Sequence, residues 1–180
     1  MSKKKIYLPV LLLSSFACMY VSCEETEETG KYDNWQARNE AFIDSLQQVY
    51  DAKTDPELLS VVDSRDKSQK IFYKKRIRAE EETLSPYFTS KVTVFYRGML
   101  INEEVFEQNF TEDIPSEFDT PASFIVSNVI NGWIEILQRM KTGERWEVYI
   151  PWKSAYGSTG SGSIPGYSTL IFDVLLEDFK

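Results

Sequence analysis

The sequence predicts an α+β fold: an antiparallel half-barrel sheet wrapped around one short helix, with an N-terminal helical segment in front of it. Two observations predict this. After about residue 68, apolar and polar side chains alternate in several short runs, the two-residue period of strands that bury one face. Within the same region the stretch Val129 to Met140 instead spaces Val129, Ile130, Trp133, Ile134, Leu137 and Met140 along one side of a helix. Strands with one oily face need a cover, and this helix supplies it.

The first 22 residues have a basic start, SKKK, and an apolar run interrupted by Pro9. The run is shorter than the roughly 20 residues that span a bilayer, so it reads as an export signal. Ser22 before Cys23 resembles the cleavage box of bacterial lipoproteins, which makes Cys23 the expected lipidation site; Ala17-Cys18 competes with it. Residues 23–32 follow as an acidic tether. A helical N-terminal segment is expected over 33–67. Its first helix, about 33–52, carries Trp35, Phe42, Ile43, Leu46, Val49 and Tyr50 on one stripe behind an Asp33/Gln36 capping box. A second, over 56–63, is read from Pro56 at a first helical position and from Leu58, Leu59, Val61 and Val62. The stripe of the first helix needs a surface, and the chain's own domain is the expected one, which favours a monomer.

The main domain is expected over 68–180. Its strands are read from Ile71 and Tyr73, from Val92, Val94 and Tyr96, from Trp146, Val148 and Ile150, and from Leu170, Phe172, Val174 and Leu176. Four or five such strands are expected. The central helix is signposted by Asn131 as its N-cap and by Gly143 as a stop.

Composition narrows the chemistry. At 42% hydrophobic and 14% aromatic residues, the 180-residue chain has enough apolar surface for a real core. Histidine is absent, which excludes Ser-His-Asp and Cys-His nucleophilic arrangements and removes the commonest metal ligand. No cofactor or metal is expected. The net charge of −8 becomes −11 once the leader and its three lysines are removed, leaving 17 bases against 28 acids. Such a surface repels nucleic acid and anionic lipid, so contact with a membrane is expected through the N-terminal lipid only.

Several phrases, in order, carry a resemblance: VTVFYRGML at 92–100, VFEQN at 105–109, FIVSNVINGWIEILQRMKTGERWEVYIP at 124–151, AYG at 155–157 and SIPGYSTLIFDVLLED at 163–178. Together they resemble the FKBP-type peptidyl-prolyl cis-trans isomerases. The resemblance implies that Trp133 floors a pocket for a proline ring and that Tyr96, Phe106, Val129, Ile130 and Phe172 wall it. It further implies a Tyr156 hydroxyl and an Ile130 backbone N–H offered to the substrate carbonyl, Glu107 hydrogen-bonding within the pocket, and Ile164 capping it from a Gly/Ser-rich loop. The partners it implies are proline-containing unfolded or exported proteins, with a macrolide-type inhibitor as a further ligand, and the location is the cell envelope. Three departures bear on activity: Glu107 where aspartate is usual, Ala122 where some members have phenylalanine, and a long acidic connection over 107–123. Phe110 or Phe118 is the expected replacement for the lost wall. A catalytically weak chaperone or binding module that uses the same groove is the alternative.

Overall fold

The computed structural model describes residues 30–79 and 84–180. The leader, Cys23 and most of the acidic tether lie outside the described residues.

Helix α1 spans Trp35–Ala52 and is followed by strands β1 (Leu59–Val62), β2 (Lys70–Ile77), β3 (Lys91–Met99), β4 (Val105–Gln108) and β5 (Ala122–Ile125). Helix α2 (Asn131–Leu137), β6 (Arg145–Ile150) and β7 (Leu170–Phe179) complete the chain of elements. All pairings are antiparallel, in the order β1-β2-β6-β7-β3-β4. Strand β5 pairs with the first half of β3 (Lys91 to Val94), while β4 pairs with its second half (Arg97 to Met99). Among the described residues the open sheet therefore has seven strands where four or five are expected from the sequence. The additional ones are four residues long, too short to show an alternation.

One face of the sheet packs on α2. Ile71, Val92, Val94, Tyr96, Trp146, Val148, Val174 and Leu176 form a single cluster with Trp133, Ile134, Ile136 and Leu137. Every α2 residue from Gly132 to Leu137 is buried, so the helix is covered on more than its sheet side. Glu135 is tolerated there because it accepts a hydrogen bond from the Ser64 N–H (3.0 Å) and pairs with Arg139 (3.0 Å). Gly132 permits the close approach: a Cβ there would lie 2.4 Å from Ile150. The helix starts one residue earlier than the Asn131 cap implies. Ile130 occupies the cap position without a side-chain cap bond, and the Asn131 side chain instead accepts from Arg65 (2.6 Å). Gly143 does adopt a left-handed φ of 83°, but six residues beyond the helix.

The other face is covered by α1. Phe42, Ile43, Leu46, Val49 and Tyr50 pack on Leu58, Phe72, Tyr149 and Ile171, which is why Phe72 is buried although it shares its strand face with Lys74. The end of α1 is fastened by buried polar bonds. Trp35 Nε1 donates to Ser168 Oγ (2.9 Å), and the fully buried Asn39 accepts from the Thr169 N–H (2.7 Å) while donating to the Trp35 carbonyl (2.8 Å). The expected Asp33/Gln36 box is not formed. Asn34, left-handed, sits at the cap position without a side-chain bond, and Gln36 donates to Glu40.

The helix expected over 56–63 is a correction. Leu59–Val62 form strand β1, with Val61 opposite Ile71 and Leu59 opposite Tyr73. Adjacent β-branched residues beside an unpaired strand edge favour pairing over a short helix.

Candidate active site

A hollow of about 230 Å³ opens over α2, lined by Tyr96, Phe106, Glu107, Phe124, Asn128, Val129, Ile130, Trp133, Tyr156 and Phe172. Trp133 is 4% exposed and forms the hub. Its indole meets the rings of Phe172 (5.2 Å), Tyr96 (5.3 Å) and Phe124 (5.7 Å), all close to perpendicular. Phe106 extends the wall by a perpendicular contact with Phe172 at 5.6 Å. Edge-to-face packing places the positive edge of one ring on the negative face of the next, which holds the walls stiffly.

Each ring reaches the hollow for a local reason. Tyr96 and Phe172 come from the neighbouring strands β3 and β7, on the face that α2 covers. Phe106 reaches over β3 because residue 98 has no side chain: a Cβ on Gly98 would lie 2.5 Å from Phe106 Cζ and 2.8 Å from Phe172 Cε1. Trp133 sits in the first turn of α2, with Val129 and Ile130 just ahead of it. The gap that β4 and β5 leave beside the middle of β3 is closed by one residue. The Asn109 side chain accepts from the Tyr96 N–H (2.8 Å) and donates to the Val94 carbonyl (3.1 Å), and its backbone N–H donates to the Tyr96 carbonyl (3.1 Å), so the edge of β3 turned away from β7 is satisfied there without a second strand.

The polar groups cluster near Glu107. Burial, and then hydrogen bonding to the Glu107 carboxylate, push the Tyr96 phenol far above its usual value. Burial also raises Tyr156, with the negative Glu107 second; Tyr156 is 41% exposed, so its hydroxyl is open to an incoming ligand. Both hydroxyls therefore stay protonated, as donors must. The Ile130 N–H, at the start of α2, has no protein acceptor among the described residues. Trp133 Nε1 is buried without a partner. Among the described residues no group of three or more acidic or cysteine side chains is disposed to hold a metal ion.

Of the residues expected at the site, Tyr96, Phe106, Glu107, Val129, Ile130, Trp133, Tyr156 and Phe172 line one hollow. Ile164 does not. It is 8% exposed, packs in the core and closes a tight Ser161–Ile164 bridge, so its loop turns the side chain inward. Neither Phe110 nor Phe118 supplies the wall opposite Ala122. Phe110 is buried elsewhere, beneath the guanidinium groups of Arg97 (4.8 Å) and Arg145 (5.6 Å), and Phe118 is 88% exposed. The wall comes from Phe124, two residues along β5 from Ala122 and so on the same strand face. That period-two relation was available in the sequence. Gly98 was also legible, since a glycine inside a strand pattern marks a close approach; Asn109 carried no such signal.

A family profile for FKBP-type peptidyl-prolyl cis-trans isomerases matches residues 85–177. The chain belongs to that family. Its FKBP domain is 43% identical over 104 residues to the FKBP-type 22 kDa peptidyl-prolyl cis-trans isomerase of Escherichia coli, covering 57% of this chain and 48% of that protein. It is 42% identical over 96 residues to the outer membrane protein MIP of Legionella longbeachae, covering 53% and 39%. The crystal structure of FkpA from Escherichia coli superposes on it with a TM-score of 0.65 at 30% identity, covering 82% of this chain and 62% of that one. The chain spans about half the length or less of the curated relatives it matches.

Proposed function

We propose that this chain is a peptidyl-prolyl cis-trans isomerase acting on exported or envelope proteins, and that lipid on Cys23 tethers it to a membrane. The observation that carries the catalytic reading is the aromatic hollow over Trp133, with donors at one rim. Turning a peptide bond costs ~18–20 kcal/mol because resonance holds it planar. The planar amide is the more dipolar form, so moving it from water into an apolar hollow favours the twisted one. Trp133 floors the proline ring, while Tyr96, Phe106, Phe124, Val129, Ile130 and Phe172 keep water out. The Tyr156 hydroxyl and the Ile130 N–H hold the carbonyl as the bond turns, and Glu107 fixes Tyr96. No bond breaks, so no nucleophile or general base is required. The envelope location draws on the export signal and on the relative named as an outer membrane protein. Among the described residues no helix is long and apolar enough to cross a membrane.

The test is the cis-to-trans relaxation of a Leu-Pro or Phe-Pro peptide at micromolar protein. Acceleration is expected, with Trp133→Leu and Tyr156→Phe each losing roughly tenfold or more in kcat/KM. Absence of acceleration by the parent protein overturns the catalytic reading and leaves a binding module.

A second measurement follows from the tyrosines. With both hydroxyls raised, and no histidine in the chain, the rate is expected to stay level through the ordinary tyrosine range and to fall only above it. The sign is that of a group whose folded pKa exceeds its unfolded one. Its contribution to stability is complete below the usual phenol value and is lost as pH rises from there towards the folded value. An alkaline midpoint at or below about pH 10 would show that the working Tyr156 hydroxyl is not held above the usual phenol value.

A further inference from the structure

The connection from β4 to β5 leaves the hollow at Glu107 and returns to it at Phe124. The catalytic reading above gives it no task. It is firmly held at its root, where Phe110 is 1% exposed and the Arg97 guanidinium donates to the carbonyls of Thr111 (2.7 Å) and Glu112 (3.0 Å). Its tip is a formed turn. The Asp119 carboxylate accepts from the Ser116 N–H (2.7 Å) and hydroxyl (2.8 Å), and the Asp119 N–H returns to the Ser116 carbonyl (3.1 Å). On that turn Phe118 is 88% exposed and Ile114 65%. A phenylalanine presented to solvent on a hydrogen-bonded turn, with an exposed isoleucine four residues before it, loses little backbone freedom on capturing a partner.

Charge says what kind of partner. From Gly98 to Gln138 the sequence contains eight acids (Glu103, Glu104, Glu107, Glu112, Asp113, Glu117, Asp119 and Glu135) and neither lysine nor arginine. This stretch also supplies seven of the ten residues lining the hollow. Asp113 is engaged, since it lies with Arg145 and Arg76 around a charged recess of the sheet. Glu112 and Glu117, both exposed, flank the apolar tip with negative charge that nothing in the loop neutralises.

We propose that the 111–120 turn is a second contact site for the substrate chain, taking an apolar residue of an unfolded polypeptide flanked by lysine or arginine. The proposal rests on the isomerase reading for what happens at the hollow, but the contact itself does not depend on catalysis. It makes the protein selective among prolines by their surroundings: Phe118 and Ile114 cover the apolar side chain, Glu112 and Glu117 meet its basic neighbours, and the tethered chain then presents its proline to Trp133 at raised local concentration.

The experiment compares a Leu-Pro tetrapeptide with two long peptides that share its core. One long peptide carries Lys-Phe-Lys on a flexible spacer and the other Glu-Phe-Glu. At low salt the lysine peptide is expected to show kcat/KM roughly fivefold above the glutamate peptide, through KM, with parity restored at high salt or in Glu112→Gln/Glu117→Gln. Phe118→Ser should remove the advantage of the lysine peptide while the tetrapeptide rate stays unchanged. Equal kcat/KM for both long peptides at low salt, or a Phe118→Ser protein that keeps the preference, overturns the proposal. Fluorescence anisotropy of the labelled lysine peptide reads the contact separately. If no peptide is isomerised yet the lysine peptide binds and Phe118→Ser abolishes binding, the isomerase reading fails and the contact site stands. Binding of both peptides alike overturns the site. Loss of binding because Phe118 instead joins two copies of this chain would appear as a dimer by sedimentation, and it too overturns the site.

Discussion

Gly98→Ala is expected to lower kcat/KM on a Leu-Pro peptide by about 10²-fold, the scale on which ångström misplacements in an active site act. Gly98 does not have the positive φ that would itself demand glycine, so the effect is steric. The added methyl would sit 2.5–2.8 Å from ring carbons of Phe106 and Phe172. Neither ring can retreat freely, because Phe172 is braced by Trp133 at 5.2 Å and Phe106 by Phe172 at 5.6 Å. The crowded wall must fold into the hollow or swing away from it, and either movement spoils the dry surface a twisting amide needs. Stability should fall by only about 1–3 kcal/mol, as for other overpacked cores, so the protein still folds and the rate can be read. Pairing Gly98→Ala with Phe106→Leu should recover part of the rate by making room. A Gly98→Ala protein with the parent's kcat/KM would show that Phe106 is no part of the working wall.

Asn39→Ala is expected to cost about 3 kcal/mol of stability, a large loss for a single polar residue. Asn39 is fully buried and faces Thr169, also fully buried. Removing its carboxamide leaves the Thr169 N–H, now bonded at 2.7 Å, without an acceptor in a dry seam, and it deprives the Trp35 carbonyl of a 2.8 Å donor. Thermal unfolding should register this as a fall in Tm of roughly 5–10 °C for a domain of this size. Gln36→Ala, on the same helix but exposed and bonded only to Glu40, should be nearly neutral. If the two variants melted together, α1 would not be fastened to the sheet as described.

Much of the fold was legible because its strands bury one face and therefore alternate. Val92, Val94 and Tyr96 announce β3, and Leu170 to Leu176 announce β7, before any pairing is known. Trp133 and its neighbours were legible for the complementary reason, a helical period inside a strand-rich region. What escaped depended on partners far away in sequence. LSVV over 59–62 satisfies a short helix and a strand equally well, and only the edge offered by Lys70–Tyr73 decides between them. Asn131 looks like a cap until Arg65 claims its side chain. Phe110 and Phe118 were credible wall residues by position, and the outcome turned on two arginines, Arg97 and Arg145, that hold Phe110 on the opposite side of the sheet. Ile164 shows the same limit: a glycine-rich surrounding implies a mobile flap, yet the Ser161–Ile164 bridge turns the side chain into the core.

Strand β7 lies between β6 and β3, and it brings Phe172 with it. Of the described strands it is the last to be translated, so until it arrives β3 and β6 each lack the partner between them and the cavity over Trp133 lacks a side. Closure then joins β3 to a segment roughly 80 positions downstream, a long-range step that slows folding. On the isomerase reading, a nascent copy is therefore expected to be unable to turn its own prolines until this last strand is in place.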